Sequence, residues 1–311
     1  LSAPLELRAG DASATLVPAI GGAIAAFSLA GVDALRPMPA TAIAEGDVRR
    51  AAAYPLVPYS NRIRDARLTF GGQTHALERN FGDHPHAIHG VGWQRAWQVT
   101  RRDRHAAALV LRHDADGDAA RAWPWPFTAS QAFELVARVG GATLAATMTI
   151  RNDGDAPFPF GLGWHPYFPR DADTTLAFAA DGVWRNDATE LPVAHVVVPP
   201  EWDFAQPRAV GGAPPLDNVF TGWAGHAALA GTRRGLATTL DADSACRCVV
   251  VYAPAGRDFV AVEPVTHETD AFNRAAAGAA GTGMRVLPPG AAFSCTMRIN
   301  ARAIRAAHAS A

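Results

Sequence analysis

Apolar and polar residues alternate along much of the chain. In residues 142–150, Leu144, Ala146, Met148 and Ile150 fall on one side, and Thr143, Thr147 and Thr149 on the other. A period of two is that of a strand with one buried face. Residues 93–99 repeat the pattern and predict a strand with Trp93, Trp97 and Val99 on a common face. Residues 67–77 read as two short strands around Gly71-Gly72, a hairpin signal. Residues 246–254 read as a buried strand ending at Pro254. Helical periodicity is scarce. The alanine-rich stretch 273–283 holds three glycines and is expected to be a loop. The tail, about 301–311, reads as a short helix or a flexible end.

Many short strands punctuated by Gly and Pro predict an all-β fold, a sandwich of large antiparallel sheets. No linker and no repeat of fixed period divides the chain, so one domain over residues 1–311 is expected. A ligand site in such a fold is expected in a groove on a sheet face or at its rim.

Composition narrows the function classes. The 311 residues are 49% apolar and 18% charged, with a formal charge of −1. This suits a soluble globular protein and gives no support for nucleic-acid or anionic-membrane binding. No apolar run approaches the roughly 20 residues that span a bilayer. The first ten residues lack the basic and apolar regions of a signal peptide, so a cytoplasmic location is expected. All 28 basic residues are arginine, which with the abundant alanine reads as genomic bias. Three cysteines, an odd number, predict reduced structural thiols. Cys246 and Cys248, two apart, are expected on one face of a strand, without the further ligands that zinc needs.

Polar residues crowd beside turn formers and aromatics in four islands: 54–72, 82–97, 161–170 and 260–273, with a smaller one at 214–220. His165 stands among Gly, Trp, Pro, Tyr and Phe. It is either a satisfied core histidine or an imidazole tuned to pass protons. Glu263 follows Val260-Ala261-Val262, where a carboxylate is costly unless paired or hydrogen-bonded. The alternatives are a buried ion pair and a chemical role; Glu268 is its nearby rival. Arg64 and Arg67 read as solvated. Asp217 follows two prolines and reads as a loop residue. Trp93 reads first as core. His84, His86 and His89 invite a metal reading, but nothing at their spacing supplies the converging support a metal site needs.

Six stretches change the picture when taken in order: "PYSNRI" (58–63), "HAIHGVGWQRAW" (86–97), "GLGWHPYF" (161–168), "PLDNVF" (215–220), "VAVEP" (260–264) and "LPPG" (287–290). With them the chain resembles the aldose 1-epimerase (galactose mutarotase-like) family over nearly its whole length. The resemblance implies a β-supersandwich and interconversion of the α and β anomers of a free aldose. It implies Glu263 as general base and His165 as general acid, with His89 at the ring oxygen or a neighbouring hydroxyl. Asn61 and Arg62 would bind sugar hydroxyls or stabilise the oxygen of the opened aldehyde, and Asp217 would accept from sugar hydroxyls, with Tyr167 and Trp93 as walls or hydroxyl contacts and His86 as a sugar contact or a support behind one. Neither metal nor organic cofactor is called for. The expected partner is a monosaccharide, bound by a monomer or homodimer.

The chain departs from the pattern after Tyr252, where Ala253-Pro254-Ala255 replaces the glutamine of some galactose mutarotases. Galactose itself is therefore in question. Arg95, Arg257 and Arg274 leave room for a phosphorylated or acidic sugar. A hexose-6-phosphate 1-epimerase is the second reading. A non-catalytic sugar-binding module and a glycoside hydrolase or lyase are others that the scaffold allows.

Overall fold

Strands 142–150 and their neighbours form as the alternation predicts. A computed structural model of the chain describes residues 3–211, 215–231 and 234–304. Gly141–Asn152 is an inner strand of a nine-stranded antiparallel sheet, between Phe127–Arg138 and Ala292–Ala303. Leu144, Ala146, Met148 and Ile150 are buried. On the opposite face, Thr143, Thr147 and Thr149 hydrogen-bond across the strand to Asn300, Thr296 and Ser294. That polar face is therefore bonded sideways, not left to water alone.

An eight-stranded sheet carries Leu216–Thr221, Cys248–Ala253 and Phe259–Val265 side by side. A four-stranded sheet begins the chain with Leu5–Ala9, Ala12–Val17 and Ala23–Leu29. The main core cluster joins Leu144 and Met148 of the nine-stranded sheet to Val249, Val251, Val260 and Val262 of the eight-stranded one. The all-β, large-sheet reading is borne out. The hairpin also forms, as Arg67–Phe70 paired with Gln73–Ala76.

Four local expectations are corrected. Residues 93–99 are not a strand: Gly92–Gln94 is a 3-10 turn, and the strand is Gln98–Arg102. The two indoles fold the loop back on itself. Trp93 Nε1 donates to the Ile88 carbonyl and Trp97 Nε1 to that of Gly92, and the two rings enter different core clusters. Ala271–Ala276 is a helix where a loop was expected from residue 273; the glycines only end it. Asn273, on this helix, accepts from Thr69 N and donates to the Arg67 carbonyl, which fastens the helix to the hairpin. Cys246 precedes its strand and lies in the large core, whereas Cys248 lies in the smaller one, so they share no face. All three thiols are free and buried. At the end of the chain, residues 301–303 belong to Ala292–Ala303, and the remainder of the expected tail from 305 lies outside the described residues.

Candidate functional site

The eight-stranded sheet places a row of side chains by register alone. Successive residues of a strand point to opposite faces. Val260 and Val262 therefore enter the large core, and Ala261, Glu263 and Val265 face the other way. Glu263 lies opposite Val250, and Asp217, Tyr252, Ala261 and Tyr167 lie opposite one another across four strands. Asp217 is thus on the strand Leu216–Thr221 and not in a Pro-rich loop; its pairing with Tyr252 fixes it.

These residues floor a cleft of about 810 Å³. Glu263, His165, His89, Asn61, Arg62, Asp217 and Tyr167 all line it. The structure therefore gathers seven of the nine predicted residues. Trp93 and His86 are not among the lining. Trp93 is buried behind the cleft, against Tyr54, Phe81 and His89. His86 is buried and accepts from Asp65 N through Nδ1. Both lie behind the residues that line the cleft.

At the floor, His165 Nε2 lies 3.0 Å from Glu263 Oε1. Both side chains are buried. Burial pushes the Glu263 carboxyl well above its ordinary 4.5, and the charge of Asp217 adds to that, against Arg62. Burial also pushes His165 down to about 3. Both shifts favour the uncharged form of the pair, joined by a single hydrogen bond. Tyr167 stacks on His165 at 4.4 Å between ring centroids, and Tyr54 lies 4.8 Å away on a tilted plane. The aromatic company of His165 thus holds its ring in place and keeps it neutral.

His89 and Asn61 hold each other. Each has left-handed backbone, with φ of 63° and 57°. Asn61 N–H donates to His89 Nδ1 at 3.0 Å, and His89 N–H donates to the Asn61 carbonyl at 2.9 Å. Because Nδ1 accepts and burial keeps the ring neutral, the proton of His89 must sit on Nε2. His89 is a donor aimed from a strained, doubly tied backbone.

Arg62 is engaged through both terminal nitrogens at one end of the cleft, while its Nε is buried without a hydrogen-bond partner. Its guanidinium pairs with Glu190, lies 3.2 Å from Asp217 and donates to Asn61 Oδ1 at 2.9 Å. Burial raises Asp217, and Arg62 opposes that rise. His84 adds a 3.5 Å contact to Glu190. His84, His86 and His89 thus turn to three different partners. Sequence reasoning missed Glu190 and Tyr54, and also Arg36 at the opposite end. Arg36 had a signal: a lone cation in "ALRPMP" among apolar residues.

The remaining motifs brace the site. Glu268 is buried, pairs with Arg274 and does not line the cleft. Arg274 also lies 4.1 Å over the Trp184 ring. Of the three arginines suggested for an anion, only Arg257 reaches the cleft. His267 donates from Nδ1 to the Glu268 carbonyl at 2.7 Å and accepts from Ser60 N at 3.1 Å, which pins the loop that carries Asn61. Burial lowers His267 from 6.5 to about 4. A histidine depressed in the fold adds stability above its unfolded value and loses it as pH falls toward the folded one. The advantage of the wild type over His267→Gln should therefore shrink between pH 6.5 and 4. Urea midpoints across that range test this; a constant difference would show that His267 does not titrate as argued.

A family model described as aldose 1-epimerase matches residues 4–300. The uncharacterized protein YphB of Escherichia coli (strain K12) is 30% identical over 266 residues, 83% of this chain and 86% of that protein. A crystal structure from Escherichia coli K12, of a protein proposed to be an aldose 1-epimerase, superposes with a TM-score of 0.85 at 28% identity, covering 97% of this chain and 99% of that one. A galactose mutarotase-like protein from Clostridium acetobutylicum shares the fold, with a TM-score of 0.84 at 20% identity over 96% and 95% of the two chains.

Proposed function

The chain belongs to the aldose 1-epimerase family, and from that membership we propose that it interconverts the α and β anomers of an aldose with a free anomeric hydroxyl. The observation that carries this reading is the 3.0 Å contact of His165 with Glu263 at the floor of the cleft. O1 and the ring oxygen O5 of a pyranose are bonded to the same carbon. An acid and a base in contact with each other can therefore both reach the reacting centre. Glycoside hydrolysis asks for something else, two carboxyls about 5–9.5 Å apart across a bond to be cut.

The proton count closes. Transfer of the shared proton to His165 leaves a carboxylate and an imidazolium. Glu263 then takes the proton of the O1 hydroxyl as the C1–O5 bond breaks and C1–O1 becomes a carbonyl. His165 gives its proton to O5. Rotation about C1–C2 presents the other carbonyl face. The O5 hydroxyl returns its proton to His165 as it attacks C1, and Glu263 reprotonates O1. Each group works once in each direction, which calls for protonation states close in energy. The opposed shifts of Glu263 and His165 favour the neutral pair at rest, so charge separation awaits the sugar.

His89 Nε2–H is the donor placed to bind an oxygen of the ring or the opened chain. Replacement by Asn should lower kcat/KM by about 10²-fold, the cost of losing one donor to a charge-developing oxygen. Steady-state kinetics on the folded variant test that; an unchanged kcat/KM would remove His89 from the reaction.

Anomer exchange followed by proton NMR on a panel of aldoses, against the uncatalysed rate, tests the function itself. Acceleration on at least one sugar is expected. A folded protein that accelerates none would leave a sugar-binding module as the better reading.

A further inference from the structure

Charge is distributed unevenly along the cleft. At one end Arg62 is matched by Glu190 and Asp217. At the other end Arg36, Arg49, Arg50 and Arg257 meet only Asp47 and Asp258. Arg49 is paired with Asp47 at 3.1 Å. Among the described residues, Arg36, Arg50 and Arg257 make no ion pair with a carboxylate within 4.0 Å. Asp258 acts on Arg36 electrostatically without pairing with it.

Arg36 is a built feature and not a mobile surface cation. Its guanidinium lies 4.3 Å from the Tyr167 ring centroid and 4.6 Å from that of Phe259. Nη2 donates to the Ala51 carbonyl at 2.9 Å, and its backbone N–H to the Tyr167 carbonyl at 2.8 Å. Nε is buried and has no partner. A half-buried guanidinium fixed by two aromatic faces and facing a cavity is unusual without an anion to match it. Arg50 and Arg257 are exposed at the same end.

We infer that the aldose carries an anionic group remote from C1, a carboxylate or a phosphate, which Arg36 binds with Arg50 and Arg257. The inference rests on the anomerase reading above. Position supports remoteness: Tyr167 lies in contact with both His165 and Arg36, so one aromatic ring separates the reacting pair from the cation. An anion at that distance leaves Glu263 free to ionise. Arginine suits both groups because its planar fork bonds two oxygens at once.

The test compares anomer exchange of glucose and galactose with that of glucuronate, galacturonate, glucose 6-phosphate and galactose 6-phosphate. At least one anionic sugar should exceed its neutral parent about tenfold or more in kcat/KM; which arm wins separates carboxylate from phosphate. Arg36→Gln should bring that ratio toward one. Because Arg36 also seats the chain between two rings, the exposed double variant Arg50→Gln/Arg257→Gln serves as the second measure and should reduce the ratio severalfold. Neutral sugars turned over as well as every anionic one would overturn the inference and leave the anomerase reading standing. So would an anionic preference that neither variant moves. Exchange of no sugar at all would overturn both.

Discussion

Glu263→Gln should fold normally and lose about 10²–10⁴-fold in kcat, the usual contribution of one general acid–base group. The amide keeps the size of the side chain and still hydrogen-bonds His165, but cannot take the O1 proton. The variant should also become more stable relative to wild type as pH rises. A carboxyl whose folded pKa is raised stabilises below its unfolded value, ordinarily 4.5, and that contribution is lost as pH climbs through the folded one. Glutamine has no such loss. Lower activity with higher alkaline stability is a combination that a merely structural ion pair would not give, because breaking a buried pair destabilises. His165→Asn should lose activity similarly. Glu268→Gln is the control: its carboxylate pairs with Arg274 outside the cleft, so kcat should stay near wild type. If Glu268→Gln proved inactive and Glu263→Gln active, the base would have been assigned to the wrong carboxylate. Single-turnover anomer exchange and urea titrations at pH 6 and 9 give both readouts.

Gly161→Ala should destabilise the protein by about 3 kcal/mol, at the upper end of what overpacking costs. A Cβ at Gly161 would stand 1.7 Å from His267 Cδ2 and 2.5 Å from its Nε2. His267 cannot swing aside cheaply, since both ring nitrogens are bonded, to the Glu268 carbonyl and to Ser60 N. Displacing it frees the Ser60 amide in a buried setting, which adds the penalty of an unpaired donor. Ser60 adjoins Asn61, whose carbonyl and amide hold His89, so activity of the folded fraction should fall too. A urea midpoint equal to wild type would mean that the ring relocates freely and that the clamp carries little.

Much of this site was legible because strands place side chains by counting. In "VAVEP" the two-residue period alone separates Glu263 from the valines of the large core. His165, Asn61 and His89 were found from motifs, and the structure gathers them. Their tautomers and backbone strain depend on a contact between two islands that no local pattern shows. The strand over residues 93–99 was misread because a bulky apolar residue two or four places from another looks like a strand face; Trp93 itself is core, as first read. The indole N–H bonds that bend residues 88–97 into a tight loop leave no trace in the pattern. Asp217 was assigned to a loop by the prolines before it, and only pairing with Tyr252 shows otherwise. Arg36, a lone cation among apolar residues, was passed over because what places it at the site is contact with Tyr167 and Phe259, far along the chain.

The two ends of the cleft differ in how freely they can change. Glu263 and Asp217 sit within a sheet whose strands are paired on both sides, and Arg62 is tied by two carboxylates and an amide oxygen. Arg50, at the end of the 3-10 turn Val48–Arg50, and Arg257, in a loop, are exposed and make no ion pair with a carboxylate among the described residues. A substitution at either one alters the mouth of the cleft without unpicking the sheet. On the reading proposed above, substitutions at these exposed positions would retune which sugar is accepted and leave the Glu263–His165 pair as it is. Reaction and preference would then be separately heritable.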